Sequence, residues 1–298
     1  MWLILACTAT SEYKDVDTSS FIDTADTAVV EVVEDIDTGD WPEHLWVVIG
    51  SGTWHTCAVD QEKQTHCWGR GLEGQTAPPS GIPFRELTGG RAFTCGLAFD
   101  SSVYCWGEYS FPVPEEKMAS ISAGKDFLCG ILHSGSLGCF GFSGEIPVGS
   151  FVQLDAGENH VCALSTTQTV SCFGQNLYGE SEPPTDTFDL VRAGLYHSCA
   201  RNEEGIQCWG SPQDNATSIP LVHGNGLWTG NYHNCVLNDN QQAVCWGGDS
   251  LGLNGGIMGA KFRDLALGGF HTCGITNEDT IVCVGENSQG QTNAPMQE

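Results

Sequence analysis

The sequence predicts an all-β protein: a seven-bladed β-propeller with one disulfide-clipped hairpin per blade, preceded by a disordered acidic tether. Three observations predict it. Fourteen of the fifteen cysteines fall into seven pairs, and the first cysteines of successive pairs lie 33 to 38 residues apart. Glycines and apolar residues recur at fixed distances from those cysteines. No segment shows a sustained apolar repeat of about 3.6 residues, so long helices are not expected.

The cysteine pairs indicate how each unit folds. They are Cys57 with Cys67, Cys95 with Cys105, Cys129 with Cys139, Cys162 with Cys172, Cys199 with Cys208, Cys235 with Cys245 and Cys273 with Cys283. Short apolar runs bounded by Gly, Asn, Asp and Pro indicate strands, and this spacing suits a tight antiparallel hairpin. Opposed residues in such a hairpin lie close enough to form a disulfide. Free or zinc-bound thiols are the alternative, but zinc sites favour closer cysteine spacing.

Two sets of glycines are invariant among the units. One set lies five residues before each first cysteine: Gly52, Gly90, Gly124, Gly157, Gly194, Gly230 and Gly268. The other lies two residues after each second cysteine: Gly69, Gly107, Gly141, Gly174, Gly210, Gly247 and Gly285. Such glycines indicate positive φ angles or close approach of neighbouring units. One unit of this size cannot bury its own apolar face, whereas seven units arranged radially can.

We therefore divide the chain into three segments. Residues 1–7 are a truncated signal with a lipobox, residues 8–44 an acidic linker, and residues 45–298 the propeller. We place the blades at residues 45–82, 83–117, 118–149, 150–186, 187–221, 222–259 and 260–298. The linker has eleven Asp and Glu against one Lys, a composition typical of a solvated, self-repelling tether.

The unpaired cysteine is Cys7, and it predicts a lipid anchor. The segment Ile4-Leu5-Ala6-Cys7 resembles the lipobox of bacterial lipoproteins, whose cysteine becomes the acylated N-terminus. The apolar segment before it is shorter than a usual signal core and lacks a basic start. A free thiol beside an apolar N-terminus is the alternative. We expect the membrane to be contacted only through this anchor, at the outer membrane or cell surface.

The units resemble regulator of chromosome condensation repeats, in the cysteine-paired form of bacterial cell-surface proteins. The first unit carries the resemblance in Gly52-Thr53-Trp54-His55-Thr56-Cys57, and the last in Gly268-Gly269-Phe270-His271-Thr272-Cys273. The last unit continues with the tail G-x-N-x-x-G at residues 285–290, which units two, three and five lack. The resemblance implies a seven-bladed propeller with a binding function, either nucleotide exchange on a small GTPase or, in a secreted bacterial relative, inhibition of β-lactamases.

Composition narrows the classes of partner. The net charge of −26, with only eleven Lys and Arg, argues against nucleic-acid binding, which needs basic clusters. The sequence contains no nucleophile elbow, zinc-protease or phosphate-loop motif. We expect no cofactor, no metal and a monomeric protein. The acidic surplus favours solubility or a basic partner.

Five histidines recur two residues before the first cysteine of their units: His55, His160, His197, His233 and His271. A metal or proton-relay ring is one interpretation. The other is packing between blades, with a ring nitrogen hydrogen-bonded to the backbone. Phe93 and Phe127 occupy the same position in two units, which favours packing, because a metal site needs convergent ligands.

The candidate binding residues lie where the units differ. The position three before the first cysteine is Trp54, Ala92, Asp126, Asn159, Tyr196, Tyr232 or Phe270. We place these residues in loops at one propeller face, because exposed aromatics are typical binding anchors. Tyr109 and Phe111, in the divergent loop of the second unit, are added to the set. The alternative is that the aromatics plug the central channel.

We therefore expect a non-catalytic protein outside the cytoplasm that binds a protein, cell-wall or cell-surface ligand through one propeller face. The first alternative is an enzyme, such as a glycan hydrolase, that uses carboxylates at the central channel. The second, by family analogy, is an exchange factor. Disulfides and a lipobox argue against the latter, because small GTPases are cytosolic or nuclear.

Overall fold

The computed structural model describes residues 46–222, 224–248 and 259–295, which form seven antiparallel sheets of three strands each. The first four blades comprise β1 (Trp46–Ser51), β2 (His55–Asp60), β3 (Thr65–Gly69); β4 (Phe84–Gly89), β5 (Phe93–Ala98), β6 (Val103–Gly107); β7 (Met118–Ala123), β8 (Leu128–Leu132), β9 (Leu137–Phe140); and β10 (Phe151–Ala156), β11 (His160–Ser165), β12 (Val170–Gly174). The last three comprise β13 (Leu190–Ala193), β14 (His197–Asn202), β15 (Gly205–Gly210); β16 (Gly224–Thr229), β17 (His233–Asn238), β18 (Ala243–Gly247); and β19 (Phe262–Leu267), β20 (His271–Thr276), β21 (Ile281–Gly285).

Seven blades of three consecutive strands confirm the predicted all-β propeller class. The first strand of each blade is the inner one, and β1 contacts both β4 and β19, so the ring is closed. The turns between the first and second strands all lie on one face, which we call the turn face. The turns between the second and third strands lie on the opposite face, which we call the hairpin face. Cys7 and the predicted tether lie outside the described residues.

Backbone hydrogen bonds join neighbouring turns around the axis. Each runs from an N–H of one blade to a carbonyl of the next: Thr53 to Gly90 (3.1 Å), Arg91 to Lys125 (3.0 Å), Lys125 to Glu158 (2.9 Å), Glu158 to Gly194 (3.2 Å), Leu195 to Asn231 (3.1 Å), Asn231 to Gly268 (3.3 Å) and Gly269 to Thr53 (3.1 Å). The last bond returns to the first blade. Because every bond involves the main chain, the ring tolerates different side chains at these positions.

The first set of invariant glycines is required by this close approach. A Cβ atom built on any of them would lie less than 3.0 Å from the carbonyl oxygen of the equivalent glycine in the next blade. It would also meet the ring of the His or Phe three residues later in its own blade. Gly52, for example, is confined between the His55 ring and the Gly90 carbonyl. Seven blades can therefore meet at the axis because this position is glycine in every one of them.

The second set of invariant glycines has a different cause. These residues end the outer strands and have φ angles between +77° and +109°, a conformation that residues with a Cβ rarely adopt. In blades 1, 2, 4, 5 and 7 the next residue donates its N–H to a turn-face carbonyl, as Arg70 does to Trp54 (2.9 Å). The outer strand is thereby tied to the turn face of its own blade.

All seven predicted cysteine pairs form disulfides, each joining the middle strand of a blade to its outer strand. The Cα atoms of the two cysteines are 4.0 to 4.1 Å apart in every bridge, because the residues are directly opposed in the hairpin. The bridges join Cys57 to Cys67, Cys95 to Cys105, Cys129 to Cys139, Cys162 to Cys172, Cys199 to Cys208, Cys235 to Cys245 and Cys273 to Cys283.

The two cysteines of a bridge differ in burial, a difference that the sequence did not indicate. The first cysteine of every pair is fully buried. The second is only partly buried in every blade: Cys67, Cys105, Cys139, Cys172, Cys208, Cys245 and Cys283. Each second cysteine nevertheless packs in a hydrophobic cluster with the inner strand of the next blade, as Cys67 does with Phe84 and Cys283 with Ile49. The bridges therefore take part in the packing between blades as well as closing the hairpins.

The tail of a unit packs against the following blade and closes the ring. Trp106 of the second blade donates its indole N–H to the Gln75 carbonyl (2.8 Å), and Trp209 and Trp246 donate in the same way to Glu180 and Ala216 (2.9 Å each). At the end of the chain, the Gln291 carbonyl accepts from Trp68 of the first blade (3.0 Å). The last described residues thus fasten the seventh blade to the first.

The close packing of the first set of glycines at the axis predicts that adding a side chain there lowers the stability of the fold. We expect Gly157→Ala to lower the free energy of unfolding by more than about 3 kcal/mol, because the added Cβ would overlap the Gly194 carbonyl. The control is Gly138→Ala, whose added Cβ would have no neighbour closer than 3.6 Å. Chemical unfolding of both variants with their disulfides intact measures the difference. Equal effects at the two positions would contradict the packing argument.

Candidate functional site

The recurring histidines lie between blades and do not converge on one another. Each is buried and bonds, through Nε2, the side chain that precedes the first cysteine of the next blade. The pairs are His55–Thr94 (2.7 Å), His160–Ser198 (2.7 Å), His197–Asn234 (3.0 Å), His233–Thr272 (2.6 Å) and His271–Thr56 (2.6 Å). The partner is a side chain, not the backbone we expected. No cluster of three metal-ligating side chains occurs among the described residues.

The two phenylalanines at the histidine position complete the pattern. Phe93 packs in one core cluster with Leu128, and Phe127 in another with Val161. Leu128 and Val161 occupy the position that is Thr, Ser or Asn in the other five blades. The seven seams between blades are therefore of two kinds: imidazole against a hydroxyl or amide, and phenyl against an aliphatic side chain.

The geometry fixes the protonation of the histidines. The Thr94 hydroxyl donates to the Gln75 carbonyl (2.9 Å), so it must accept from His55 Nε2–H. Burial lowers the pKa of His55, His160 and His197 to about 4, and that of His233 and His271 to about 3. All five imidazoles are neutral at physiological pH. His160 and His197 donate as His55 does, because the Ser198 hydroxyl donates to the Glu180 carbonyl (3.1 Å) and Asn234 offers its amide oxygen.

The carboxylates of the central channel also have local partners. Glu86 accepts from the Ile121 N–H (3.3 Å), and Asp155 accepts from the Ala193 N–H (2.8 Å) and the Ser122 hydroxyl (3.2 Å). In each case the carboxylate of one blade caps the exposed edge of the next inner strand. These edges have no further strand to pair with, so the side chains satisfy backbone groups that would otherwise lack partners.

Burial dominates the acidity of these channel groups. It raises the pKa of Glu86 to about 7, against the opposing effect of the Ile121 N–H. Burial likewise raises the pKa of Asp155 and of Asp264. Asp264 accepts from its neighbour Leu265 N–H (2.8 Å) and from the Trp228 indole (3.1 Å). The channel mouth beside the glycine ring encloses only about 130 Å³, which is small for a substrate.

The turn face carries the predicted aromatic residues in four successive blades, and we call this set the aromatic arc. Trp54 stacks on Phe270 with ring centroids 4.5 Å apart, and Phe270 contacts Tyr232 at 5.1 Å. Tyr196 lies in the adjoining blade and contacts Tyr178 at 5.2 Å. Because blade 7 closes on blade 1, these residues from blades 5, 6, 7 and 1 are neighbours in space. All four of the arc residues are partly exposed.

The rest of the turn face is polar. Asp126 of blade 3 is exposed and Asn159 of blade 4 is partly exposed. One position before them in the repeat, Lys125 and Glu158 form an ion pair with a nitrogen–oxygen distance of 3.5 Å. The structure therefore brings all seven predicted positions to one face, divided into an aromatic half and a polar half.

The divergent loop of the second unit contributes one exposed residue and one buried residue. Tyr109 is 37% exposed, whereas Phe111 is only 5% exposed and packs edge-on against Phe93 with centroids 5.1 Å apart. Phe111 also contacts Tyr109 at 5.1 Å. The burial of Phe111 corrects its assignment as a contact residue: it supports Tyr109 from below, and only Tyr109 reaches the surface.

A groove of about 610 Å³ opens on the turn face above blade 2. It is lined by Trp54, Arg70, Glu73, Arg91, Ala92, Glu108, Tyr109, Ser110 and Asp126. The sequence pattern indicated Trp54, Tyr109 and Asp126 but did not indicate Arg70, Glu73, Arg91 or Glu108. The signal was present, since the position of Arg91 is another at which the units differ: Thr53, Arg91, Lys125, Glu158, Leu195, Asn231 and Gly269.

Comparison with known families confirms the repeat. The profile of the Regulator of chromosome condensation (RCC1) repeat matches residues 151–180 and 262–291. These matches fall in the fourth and seventh units, whose tails read G-x-N-x-x-G at residues 174–179 and 285–290. The asparagine of each tail accepts a backbone N–H five residues later, from Ser181 to Asn176 (3.2 Å) and from Thr292 to Asn287 (3.0 Å). Two of the seven blades of this β-propeller, the fourth and the seventh, thus match the RCC1 repeat.

Solved structures similar to this chain include two plant receptor ectodomains. The ectodomain of the Physcomitrella patens receptor kinase CR4 is 25% identical, with a TM-score of 0.71 over 80% of this chain and 73% of that one. The CRINKLY WD40 ectodomain of the Arabidopsis thaliana receptor kinase ACR4 is 27% identical, with a TM-score of 0.68 over 80% and 96%. Yeast RCC1 (Prp20), bound to Kap60, is 14% identical with a TM-score of 0.50 over 81% and 70%, and shows the fold alone.

The two kinds of contact between blades predict that substitutions of the two partners in one contact have non-additive effects on the free energy of unfolding. His233→Phe leaves the Thr272 hydroxyl without its imidazole partner, and Thr272→Val leaves the His233 Nε2 without its hydroxyl partner. We expect each change to cost about 1–3 kcal/mol. The double variant reproduces the Phe127/Val161 seam, so it should be at least about 1 kcal/mol more stable than the sum of the single effects predicts. Urea unfolding measures all three variants, and additive effects would contradict the pairing.

The lowered histidine pKa values predict loss of stability in acid. Below pH 6.5 an unfolded histidine binds a proton that folded His233, with a pKa of about 3, does not bind. The stability of the wild-type protein should therefore fall as the pH decreases from 6.5 towards 3, by about 1.4 kcal/mol per pH unit for this residue. The double variant His233→Phe/Thr272→Val should lack this contribution.

The comparison with that variant isolates the histidine. Glu86 has a raised pKa and the opposite pH dependence, but it is present in both proteins and cancels from the difference. Between pH 7 and pH 5, the wild-type protein should lose about 2 kcal/mol relative to the double variant. Parallel stability curves would show that His233 titrates normally in the folded state.

Proposed function

We propose that this protein is a non-catalytic recognition propeller that binds a protein or cell-surface ligand through its turn face. The observation that carries the proposal is the arc Tyr196, Tyr232, Phe270 and Trp54. Trp54, Phe270 and Tyr232 are partly exposed, and Phe270 contacts both of the other two rings. Such aromatic side chains offer a large apolar area for binding. The backbone ring below them holds the turns in place, so little ordering is needed on binding.

The location outside the cytoplasm is supported by two independent facts. Seven disulfides are typical of proteins that fold in an oxidising compartment. Two of the similar solved structures are receptor ectodomains. Our proposal adds acylation of Cys7, which would make this a lipoprotein of the outer membrane or cell surface. No helix among residues 46–222, 224–248 and 259–295 is long and apolar enough to cross a membrane.

The inner strand of the first blade begins on the face opposite the aromatic arc. Trp46, where β1 begins, is paired with Asp60 at the hairpin face, whereas Ser51 is paired with Thr56 at the turn face.

The alternative functions have weaker support. An enzyme working at the channel would need carboxylates free to act on substrate, but Glu86 and Asp155 are occupied by backbone N–H groups of the next blade. An exchange factor would need access to a small GTPase inside the cell, which the seven disulfides disfavour. Recognition through the turn face is supported by the aromatic arc, and its placement outside the cytoplasm by the disulfides.

The test of the proposal replaces Trp54, Tyr196 and Tyr232 by Ala in the full-length, disulfide-bonded protein. The matched control is Tyr104→Ala, because Tyr104 is 38% exposed but lies on the outer strand β6. Binding is measured by biolayer interferometry against a panel of purified extracytoplasmic proteins and cell-wall fragments. We expect the triple variant to bind at least about tenfold more weakly, and the control to bind as the wild type does.

The same experiment separates surface loss from unfolding and from catalysis. Loss of the Trp54–Phe270 stack should lower stability by only about 1 kcal/mol, which thermal unfolding will check. Full retention of binding by the triple variant, or equal loss in the control, would refute the turn face as the binding surface. Release of products from the cell-wall fragments would instead favour the enzyme.

A further inference from the structure

The groove above blade 2 exists because of one small residue. Six of the seven blades carry a larger side chain three residues before the first cysteine, whereas blade 2 carries Ala92. The missing side chain leaves a gap of about 610 Å³ between Trp54 of blade 1 and Asp126 of blade 3. The loop of Tyr109 bounds the gap on the outer side. This groove is a concave site of ligand size, distinct in shape from the aromatic arc beside it.

The groove contains two carboxylates that lack charged partners. Glu108 and Asp126 are both exposed, and neither forms an ion pair within the described part of the chain. Arg70 cannot neutralise them, because it is held by Glu73 in a two-point contact, one bond of which measures 2.9 Å. The pKa of Glu73 is lowered to about 2, first by its hydrogen bond from Arg70 and then by that from Gln75. That ion pair persists at any physiological pH.

Two aromatic residues line the groove together with these carboxylates. Trp54 is stacked on Phe270 on one side, and its ring lines the groove. Tyr109 is supported by Phe111 and also lines the groove. An aromatic face attracts a cation held within about 6 Å of the ring centroid, and a nearby carboxylate adds a Coulombic attraction of its own. Partly exposed rings beside unpaired carboxylates are therefore suited to a cationic group with an apolar stem.

We propose that this groove binds an arginine or lysine side chain of the partner polypeptide, between Trp54 and Tyr109 and opposite Glu108 and Asp126. The proposal deepens the recognition function above and rests on it. The net charge of −26 adds a long-range attraction for a basic partner. Ala92 determines specificity, because its small side chain makes the space.

Arg91 explains why the ligand is a peptide rather than a simple amine. Arg91 is exposed, lines the groove and forms no ion pair within the described ranges. Its backbone N–H is bonded to the Lys125 carbonyl (3.0 Å), which fixes the base of the side chain in the central ring. A guanidinium at this rim can donate to the carbonyl groups of a peptide backbone. A simple alkylamine offers no such acceptor.

The experiment titrates the full-length protein with three short peptides: Ac-Gly-Arg-Gly-NH2, Ac-Gly-Lys-Gly-NH2 and Ac-Gly-Gln-Gly-NH2. The readout is the indole signal of Trp54 in nitrogen-15 NMR spectra, assigned with the Trp54→Phe variant. We expect saturable shifts with the two basic peptides, weakened by salt, and binding of the glutamine peptide that is at least about tenfold weaker. A chitin trisaccharide, titrated in the same way, represents the alternative that the groove binds an uncharged glycan.

Two variants and one control test the groove itself. Ala92→Trp should fill the groove, and the double variant Glu108→Gln/Asp126→Asn should remove its charge, each weakening the basic peptides by about tenfold or more. The control Glu115→Gln/Glu116→Gln makes the same charge change at two exposed residues of the following linker, and should change affinity less than about twofold. Trp54 is not altered in any of these variants.

Failure of this proposal can be told apart from failure of the recognition function. Equal binding of all three peptides, preference for the trisaccharide, or equal loss in the control variant would overturn the cationic groove. If partner binding still depended on Trp54, Tyr196 and Tyr232, the turn face would remain the recognition surface. Loss of peptide binding in Ala92→Trp with unchanged thermal stability would support the groove as the site that binds the basic side chain.

Discussion

The structure depends on the close approach of seven backbones at one axis. The glycines of the inner turns allow carbonyl oxygens of neighbouring blades within a distance that no Cβ would permit. The interblade N–H bonds then join the turns into a closed circle. Everything farther out is placed by this circle: the histidine seams, the disulfides of the middle strands and the tails that reach the next blade.

The same constraint explains why the turn face can vary. The main chain supplies the bonds of the circle, so the side chains at the two positions after each glycine are not needed to hold it together. At the second position after each glycine, aromatic side chains occupy four blades in succession, and small or polar side chains (Ala92, Asp126 and Asn159) occupy the others. A rigid base with freely chosen side chains is a general arrangement for binding surfaces, because it limits the ordering cost of association.

The sequence was sufficient for the architecture, because cysteine spacing and invariant glycines report backbone geometry directly. It also located the turn face, since Trp54 and its equivalents follow the axial glycines. It could not reveal the partner of each histidine, which depends on knowing that His55 meets Thr94 across a seam. Nor could it reveal the groove, which arises from residues of three blades, or the burial of Phe111 beneath Tyr109.

The two kinds of seam give the blades a fixed order. Blade 3 presents Leu128 to one neighbour and Phe127 to the other, so both of its seams are apolar, whereas blades 2 and 4 each have one apolar and one polar side. Moving blade 3 elsewhere would bury an imidazole N–H against leucine. The order of the blades is therefore restricted. A circular permutation keeps every blade beside its present neighbours, whereas moving a single blade past blade 3 would place a polar contact surface against an apolar one.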